Sequence, residues 1–187
     1  MDSKLIISEL LTPEQCYGRV TSADYALSES FSDVRRAEFL SWRALLSEHM
    51  GRVVEIEYDN SGAPRVVGDD VHIGVSHTTN RVAVVVSNTP CAVDIEHSDR
   101  DLQRISARFL TARERLLAVD NPTLVAIWCS RECYYKLCHD KSLSLLTDIS
   151  VSEIDMSAGS VTVTDSRGGQ LTMKILEQNG YIVVYYV

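Results

Sequence analysis

The order of helical and strand-like segments along the chain predicts an α+β protein built from two similar halves. Helices followed by strands occur in residues 1–91, and the same order recurs in residues 92–187. The 187 residues suit one domain or two small packed halves, and the apolar content of 45 % provides for a sizeable core. Because no long linker separates the halves, we expect one packed unit and a monomer.

The first half is predicted to hold one long amphipathic helix. Residues 32–49 carry an apolar and a polar stripe with helical spacing, and Gly51 suits the position just past the helix end. Thr12 and Pro13 predict the start of a shorter helix, since threonine caps helices and proline is tolerated in the first turn. Strand-like runs occupy residues 5–10, 53–58, 71–76 and 82–87, with a hairpin turn at 59–62.

The second half is predicted to repeat this order. Residues 102–110 place apolar side chains on one side of a helix, and Thr111 with Glu114 matches a capping box at the start of the next. A third helix begins at Asn121 and runs to about His139. Strand-like runs occupy residues 92–96, 161–164, 171–176 and 181–187, with a hairpin turn at 167–169.

The composition excludes several classes of function. The net charge of −8 argues against nucleic acid or an anionic membrane as the main partner. No apolar run approaches the roughly 20 residues of a membrane span, and the start of the chain lacks the pattern of a signal peptide. The 5 cysteines form no Cys-x-x-Cys pair, so we expect reduced thiols in a cytoplasmic protein.

Asp94 and Glu96 are the first candidate site residues. Alternate residues of a strand share a face, so the two carboxylates point the same way. Side by side they repel each other unless a cation lies between them, and magnesium is often held by one or two carboxylates plus a substrate phosphate. An exposed strand with solvated acids remains the alternative.

Glu132 and Lys136 are the second candidate pair. They lie four residues apart on the predicted helix and share a face, with Trp128 one turn earlier. A surface ion pair is the simpler interpretation. Together with Asp94 and Glu96, the third carboxylate and the lysine could complete a metal site that faces a phosphate.

Ser76 and His77 lie in a polar segment between two strand-like runs. Adjacent residues rarely achieve the geometry of a catalytic triad, and no Gly-x-Ser-x-Gly elbow is present, so a small hydrolase is a remote hypothesis. A hydroxyl, an imidazole and free backbone N–H groups suit anion binding better. A polar turn with a structural histidine stays open.

Arg100, Arg104 and Arg108 recur every four residues and predict a basic helix face. In a protein of net charge −8, such a face suits docking of an acidic partner. The alternative is a solvated face, relieved by Asp99 and Asp101.

Together, these segments resemble the 4′-phosphopantetheinyl transferase superfamily in its longer, single-chain, surfactin-synthetase-activating type. The family pattern is a Ser-His loop, a Gly-(Val/Ile)-Asp-(Val/Ile)-Glu strand, and a helix with Trp-(Ser/Thr/Cys)-x-Lys-Glu-x-x-x-Lys. The corresponding segments here are residues 75–77, 92–96 and 128–136. Their order and spacing are quite specific, and the resemblance covers roughly residues 30–150.

The resemblance implies an enzyme that moves the phosphopantetheine arm of coenzyme A to a serine of an apo acyl or peptidyl carrier protein and releases adenosine 3′,5′-bisphosphate. It assigns magnesium to Asp94, Glu96 and Glu132, and catalysis to Glu132 and Lys136. The residues it implies for coenzyme A are Ser76, His77, Arg36, Arg43, Arg131 and Lys136. The residues it implies for docking the carrier protein are Arg100, Arg104 and Arg108.

The resemblance also implies the fold: two pseudo-symmetric halves, each a long helix packed on a small, mostly antiparallel sheet, with the active site between them. Four departures from the family pattern support an alternative, a non-catalytic relative that binds coenzyme A or a carrier protein. Arg131 replaces a lysine, Ala92 a glycine and Ala63 the lysine of a Gly-Lys-Pro turn, and residues 139–142 replace a Gly-x-Gly segment.

Overall fold

The computed structural model describes residues 3–187, which form two five-stranded antiparallel sheets with the same strand order. The strands of the first sheet are β1 (Lys4–Glu9), β2 (Ile56–Tyr58), β3 (Pro64–Val66), β4 (His72–Thr78) and β5 (Arg81–Ser87). Those of the second are β6 (Ala92–His97), β7 (Ile149–Asp155), β8 (Ser160–Asp165), β9 (Gln170–Gln178) and β10 (Tyr181–Tyr186). The orders are β1-β5-β4-β3-β2 and β6-β10-β9-β8-β7, so in each sheet the first strand pairs with the last.

Each half carries its helices between its first and second strands. They are α1 (Pro13–Cys16), α2 (Ser22–Ser28) and α3 (Asp33–Met50) in the first half, and α4 (Gln103–Phe109), α5 (Ala112–Leu117) and α6 (Asn121–Cys138) in the second. The last helix of each half has 18 residues. The α+β fold of two pseudo-symmetric halves is therefore confirmed. None of the helices in residues 3–187 is both long and apolar enough to span a membrane.

Both long helices begin and end where the sequence indicated. At the start of α3 the Ser32 hydroxyl accepts a hydrogen bond from Arg35 N, and Asp120 does the same for Thr123 N at the start of α6. Gly51 ends α3 with a φ of 67°, a left-handed conformation that glycine adopts without steric cost.

Three short elements were not anticipated from the sequence, namely α2, β3 and β7. The run predicted as a strand at 53–58 is shorter, because Val54 N donates to the Ser47 hydroxyl of α3 at 3.2 Å instead of pairing with a strand. The predicted helix at 102–110 is observed at Gln103–Phe109, and Arg100 lies in the turn before it.

The two halves meet along a seam where β4 lies beside β6. Gly74 permits the close approach, because a Cβ atom at that position would lie 2.9 Å from the Ala92 Cα. Apolar side chains from both sheets fill the seam: Ala83, Val85, Cys91, Val93, Ile95 and Val183. The connection between the sheets spans residues 88–91; the division of the chain at residue 91 stays a prediction.

Candidate active site

An open cleft of about 390 Å³ lies on the seam between the halves. It brings together β4, β6 and α6, and with them the three sequence segments that were singled out above. Its lining consists of Val75, Ser76, His77, Asp94, Glu96, Arg100, Trp128, Glu132 and Lys136.

Asp94 occupies the floor of the cleft with 5 % of its surface exposed. Its neighbours along β6, Val93 and Ile95, point into the core, so strand alternation turns Asp94 toward the cleft. Oδ1 accepts hydrogen bonds from the Ser76 hydroxyl at 2.8 Å and from Lys136 Nζ at 2.6 Å. Oδ2 is buried and has no hydrogen-bond partner within residues 3–187, which is unusual for a carboxylate oxygen in a folded protein.

Lys136 crosses from α6 to the strands of the seam. Its Nζ also donates to Ser76 Oγ and to the Val93 carbonyl, both at 3.2 Å. Burial by itself would lower the pKa of Lys136, but the charge and hydrogen bond of Asp94 outweigh it, and the pKa lies above its usual value. Lys136 therefore stays protonated at neutral pH.

Glu96 faces the cleft as the strand pattern predicted, but it is already paired. Oε2 accepts from the Thr78 hydroxyl at 2.9 Å, and Oε1 forms an ion pair with Arg100. The Arg100 guanidinium also lies 5.9 Å from the centroid of the Trp128 ring. The prediction that places Arg100 on a helix face with Arg104 is wrong, because α4 begins at Gln103 and the turn before it directs Arg100 into the cleft.

Glu132 lies one helical turn before Lys136 on α6. Among residues 3–187 its carboxylate has no hydrogen bond or ion pair, although it lines the same cleft. Burial raises its pKa above the usual value, and the negative charge of Asp94 raises it further. A carboxylate with a raised pKa is a better proton acceptor than an ordinary one.

Ser76 and His77 point to different partners. The Ser76 hydroxyl donates to Asp94, whereas His77 Nε2 accepts from Arg35 Nη1 at 3.3 Å and His77 Nδ1 donates to Glu38 Oε1 at 3.2 Å. Burial lowers the pKa of His77, and this arrangement satisfies both ring nitrogens of the neutral form. A hydrolytic Ser76–His77 pair is excluded because the serine proton goes to Asp94.

Arg35 lies next to His77, although the sequence resemblance assigned its neighbour Arg36, and not Arg35, to coenzyme A. Arg35 leaves α3 toward β4 and keeps half of its side chain exposed next to His77. Arg36 lies about 100° further round the helix, where it donates to the Ser28 hydroxyl and lies over the Tyr25 ring. The structure therefore does not bring Arg36 to the cleft.

Arg43 is also away from the cleft, which corrects its assignment to coenzyme A. Only 2 % of its surface is exposed, and its guanidinium stacks 3.6 Å from the centroid of the Phe39 ring. It donates to the Tyr58 hydroxyl at 3.0 Å and pairs with Asp24 at 3.3 Å. It joins α3 to α2 and β2 and has no face left for a ligand.

The assignment of Arg131 to coenzyme A is also corrected, because Arg131 is fully buried beside the site and does not line it. Nε and Nη2 donate to the two carboxylate oxygens of Glu114 at 3.0 and 2.9 Å, and Nη1 donates to the carbonyl of Leu145 at 2.9 Å. This bidentate pair joins α6 to α5. Arg131 is a structural residue in this fold, not a coenzyme A ligand.

Arg104 and Arg108 project from α4 into solvent and do not line the cleft. The nearest carboxylate to Arg104 is Asp101 at 3.9 Å, and Arg108 has no ion pair within residues 3–187. The helix that carries them is anchored at the cleft, because Phe109 packs edge-to-face on Trp128 at 5.1 Å.

The chemistry of the cleft fits a divalent cation only in part. Asp94, Glu96 and Glu132 all face it, and Asp94 Oδ2 is a buried oxygen in need of a partner. In the described part of the chain, however, no three His, Cys, Asp or Glu side chains are close enough together to hold a metal ion. Protein cations neutralise two of the carboxylates, since Lys136 lies on Asp94 and Arg100 on Glu96.

A second cavity, of about 300 Å³, adjoins the cleft on the same seam. The two share Val75 and Lys136. Most of its wall is apolar, and its outer end lies between the turn after β2 and the loop after α6. The residues that line this cavity but not the cleft include Ser61, Ala63, Pro64, Ile73, Tyr135, His139, Asp140 and Lys141.

Comparison with protein-family models identifies a match. The family model described as the 4′-phosphopantetheinyl transferase superfamily matches residues 90–185, just over half of the chain. The matched region contains β6 and α6, and with them Asp94, Glu96, Glu132 and Lys136. A search of curated proteins finds no match.

Proposed function

The chain belongs to the 4′-phosphopantetheinyl transferase superfamily, and on that premise we propose that it transfers the phosphopantetheine arm of coenzyme A to a serine of an apo carrier protein. Membership supports phosphopantetheine transfer in general. The observation that carries the proposal for this chain is the convergence of Asp94, Glu132 and Lys136 in one cleft between the halves.

The proposed ligands of magnesium are Asp94, Glu96 and Glu132, with Asp94 Oδ2 as the oxygen that still lacks a partner. When bound, the metal would neutralise the charge of the coenzyme pyrophosphate and polarise the phosphoryl group that is transferred. To bind it, Glu96 must exchange the guanidinium of Arg100 for the metal.

Glu132 is the proposed base. In the reaction, the hydroxyl oxygen of the carrier serine forms a bond to the phosphorus that carries the phosphopantetheine arm. The bond between this phosphorus and the oxygen of adenosine 3′,5′-bisphosphate breaks. The serine proton goes to an oxygen of the Glu132 carboxylate that the metal does not occupy.

Lys136 is the proposed partner of the leaving group. Its ammonium is held in place by Asp94, Ser76 and the Val93 carbonyl, and its raised pKa keeps it charged. A fixed positive charge beside the pyrophosphate stabilises the negative charge that builds up on the departing phosphate.

Intact-mass spectrometry tests the function directly. Apo acyl and peptidyl carrier proteins are incubated with the protein, coenzyme A and magnesium, and a parallel sample contains a chelator. We expect a mass gain of one phosphopantetheine that is absent with the chelator. A gain that persists with the chelator would contradict the role of the metal, and no gain on any carrier would contradict transfer.

A non-catalytic relative that binds coenzyme A is the second candidate. It is favoured by the ion pairs of Lys136 with Asp94 and of Arg100 with Glu96, which leave the carboxylates neutralised without a metal. Calorimetric titration separates the two candidates: binding of coenzyme A without any mass gain on the carriers would identify the relative.

His77 and Arg35 are the proposed contacts for a coenzyme phosphate on the β4 side of the cleft, with Arg35 in place of Arg36. Arg35→Ala is expected to raise the KM for coenzyme A about tenfold, because a hydrogen bond to a charged group is lost. Arg36→Ala, the matched control from the same helix, is expected to leave this KM unchanged. Equal effects of the two variants, measured by initial rates, would contradict the assignment.

Arg104 and Arg108 are the proposed docking residues for an acidic carrier protein, and Arg100 belongs to the cleft instead. The double charge reversal Arg104→Glu, Arg108→Glu is expected to raise the KM for the carrier about tenfold or more, and less so at high salt. The KM for coenzyme A serves as the control and is expected to stay constant. An unchanged KM for the carrier would show that it docks elsewhere.

A further inference from the structure

Lys141 lies on the wall of the second cavity, and its positive charge has no counter-charge within residues 3–187. Of the other lysine and carboxylate side chains on this wall, Lys136 is paired with Asp94, and Asp140 with Arg167. Hydrogen bonds from Ser142 and Arg167 hold the pKa of Asp140 at about 2, so that pair is fully charged and neutral overall. Lys141 is therefore the unpaired cation on this wall within residues 3–187.

The ammonium of Lys141 is held only loosely. Its one hydrogen bond within residues 3–187 is to the backbone carbonyl of Asn60, at 3.4 Å. This bond joins the loop after α6 to the turn after β2 in the other half. A lysine ammonium carries three donors, so at least two remain available. The other cation near this turn, Arg65, is neutralised by Asp59 at 3.3 Å.

The cavity adjoins the cleft that is proposed to hold the coenzyme pyrophosphate. The two share Val75 and Lys136, so a ligand whose pyrophosphate lies at Lys136 can extend along the seam toward Lys141. The apolar middle of the cavity, with Pro64 and Ile73, suits an uncharged ring or chain. A free ammonium at the end of such a cavity suits an anion on the same ligand.

We propose that Lys141 determines the affinity for coenzyme A by contacting one of its phosphate groups at the outer end of this cavity. The proposal rests on the proposed function, because it takes coenzyme A as the ligand. With the pyrophosphate at Lys136, the phosphate that can reach the outer end is the 3′-phosphate, which offers the anionic oxygens that an ammonium binds.

Calorimetric titration of the purified full chain tests the proposal with two ligands, coenzyme A and 3′-dephospho-coenzyme A. For Lys141→Ala we expect the Kd for coenzyme A to rise about tenfold, and Lys141→Arg is expected to restore most of the affinity. If the contact is to the 3′-phosphate, the loss disappears with the dephospho ligand. An equal loss for both ligands would contradict a contact with the 3′-phosphate.

The matched control is Lys174→Ala, an exposed lysine of β9 that lies outside both the cleft and the cavity. A Kd for coenzyme A that stays within about twofold of the wild type in Lys141→Ala would overturn the proposal, as would an equal loss in Lys174→Ala. A fall in Tm without a change in Kd would show that Lys141 only joins the two halves through Asn60.

The same titration separates this inference from the proposed function. If the wild type and Lys141→Ala bind coenzyme A equally well, the role of Lys141 is overturned and the proposed transfer is unaffected. A wild-type protein that neither binds coenzyme A nor modifies any carrier overturns the proposed function, and the role of Lys141 with it.

Discussion

Replacing Asp94 with asparagine is expected to abolish phosphopantetheine transfer while the protein stays folded. Asparagine keeps the shape of the side chain but removes the charge that holds Lys136 and the oxygen proposed for magnesium. Loss of metal binding and of an oriented lysine removes several kcal/mol of transition-state stabilisation, so the rate should fall about a thousandfold or more.

The effect on stability is expected to be smaller than the effect on rate. Lys136 keeps 35 % of its side chain exposed, so water can solvate its ammonium when the Asp94 charge is gone. Ser76 Oγ and the Val93 carbonyl still accept from it. We expect the circular dichroism spectrum of Asp94→Asn to match that of the wild type, with a modest fall in Tm.

Asp70→Asn is the matched control, because Asp70 is exposed and lies outside the cleft. Its transfer rate, followed by the mass gain of the carrier, is expected to equal that of the wild type. Normal transfer by Asp94→Asn would show that the cleft is not the catalytic site. Loss of transfer in both variants would point to a general effect of charge instead of a local one.

Replacing Glu114 with alanine is expected to have the largest effect on stability, a loss of about 3–5 kcal/mol in the free energy of unfolding. The change leaves the guanidinium of Arg131 fully buried without a counter-charge. It also removes the acceptor of Val151 N in β7, at 2.8 Å, and that of Thr111 N at the start of α5, at 2.7 Å. One carboxylate thus joins α5, α6 and β7.

Urea unfolding of three variants checks this prediction. Glu153→Ala, an exposed glutamate of β7, is the control and should change the free energy of unfolding by less than about 0.5 kcal/mol. The double variant Glu114→Leu, Arg131→Met removes both charges at once and should be more stable than Glu114→Ala, because no unpaired charge is buried. A Glu114→Ala protein as stable as the wild type would show that the pair contributes nothing.

The same pair makes stability depend on pH. Burial alone would raise the pKa of Glu114, but the hydrogen bonds from Arg131, Val151 N and Thr111 N outweigh it, and the pKa lies below its usual value. As the pH falls, the Glu114 carboxylate therefore takes up its proton at a higher pH in the unfolded state than in the folded state. The stabilisation is present at neutral pH and is lost as the pH falls through the carboxyl range. Glu114→Gln should lack this part of the pH dependence.

The sequence by itself determined the features that depend on local periodicity. Asp94 and Glu96 were expected on one face because strand side chains alternate, and Glu132 and Lys136 because residues four apart share a helix face. The structure places all four on one cleft. The caps that start α3 and α6 are likewise local, and the α+β order of the two halves followed from these elements.

Only the tertiary structure decided which arginines face the cleft. Arg35, Arg36 and Arg43 all lie on α3, and their sequence spacing does not say which side of the helix packs on β4. The packing of Arg43 against Phe39 and the contact of Arg36 with Ser28 leave Arg35 as the arginine that reaches His77.

Tertiary packing also decides the partners of Arg131, Arg100 and Lys141. Arg131, beside Glu132, was expected to contact a phosphate. Its partner is instead Glu114, which is 17 residues away and comes into contact with Arg131 only when α5 packs on α6. Arg100 lies before α4, in the turn after β6, and pairs with Glu96 instead of sharing a helix face with Arg104. Lys141 meets Asn60, 81 residues away, across the seam. Local sequence determines which side chains share a face, but the partner of a long, flexible cation depends on contacts between elements that are distant in the chain.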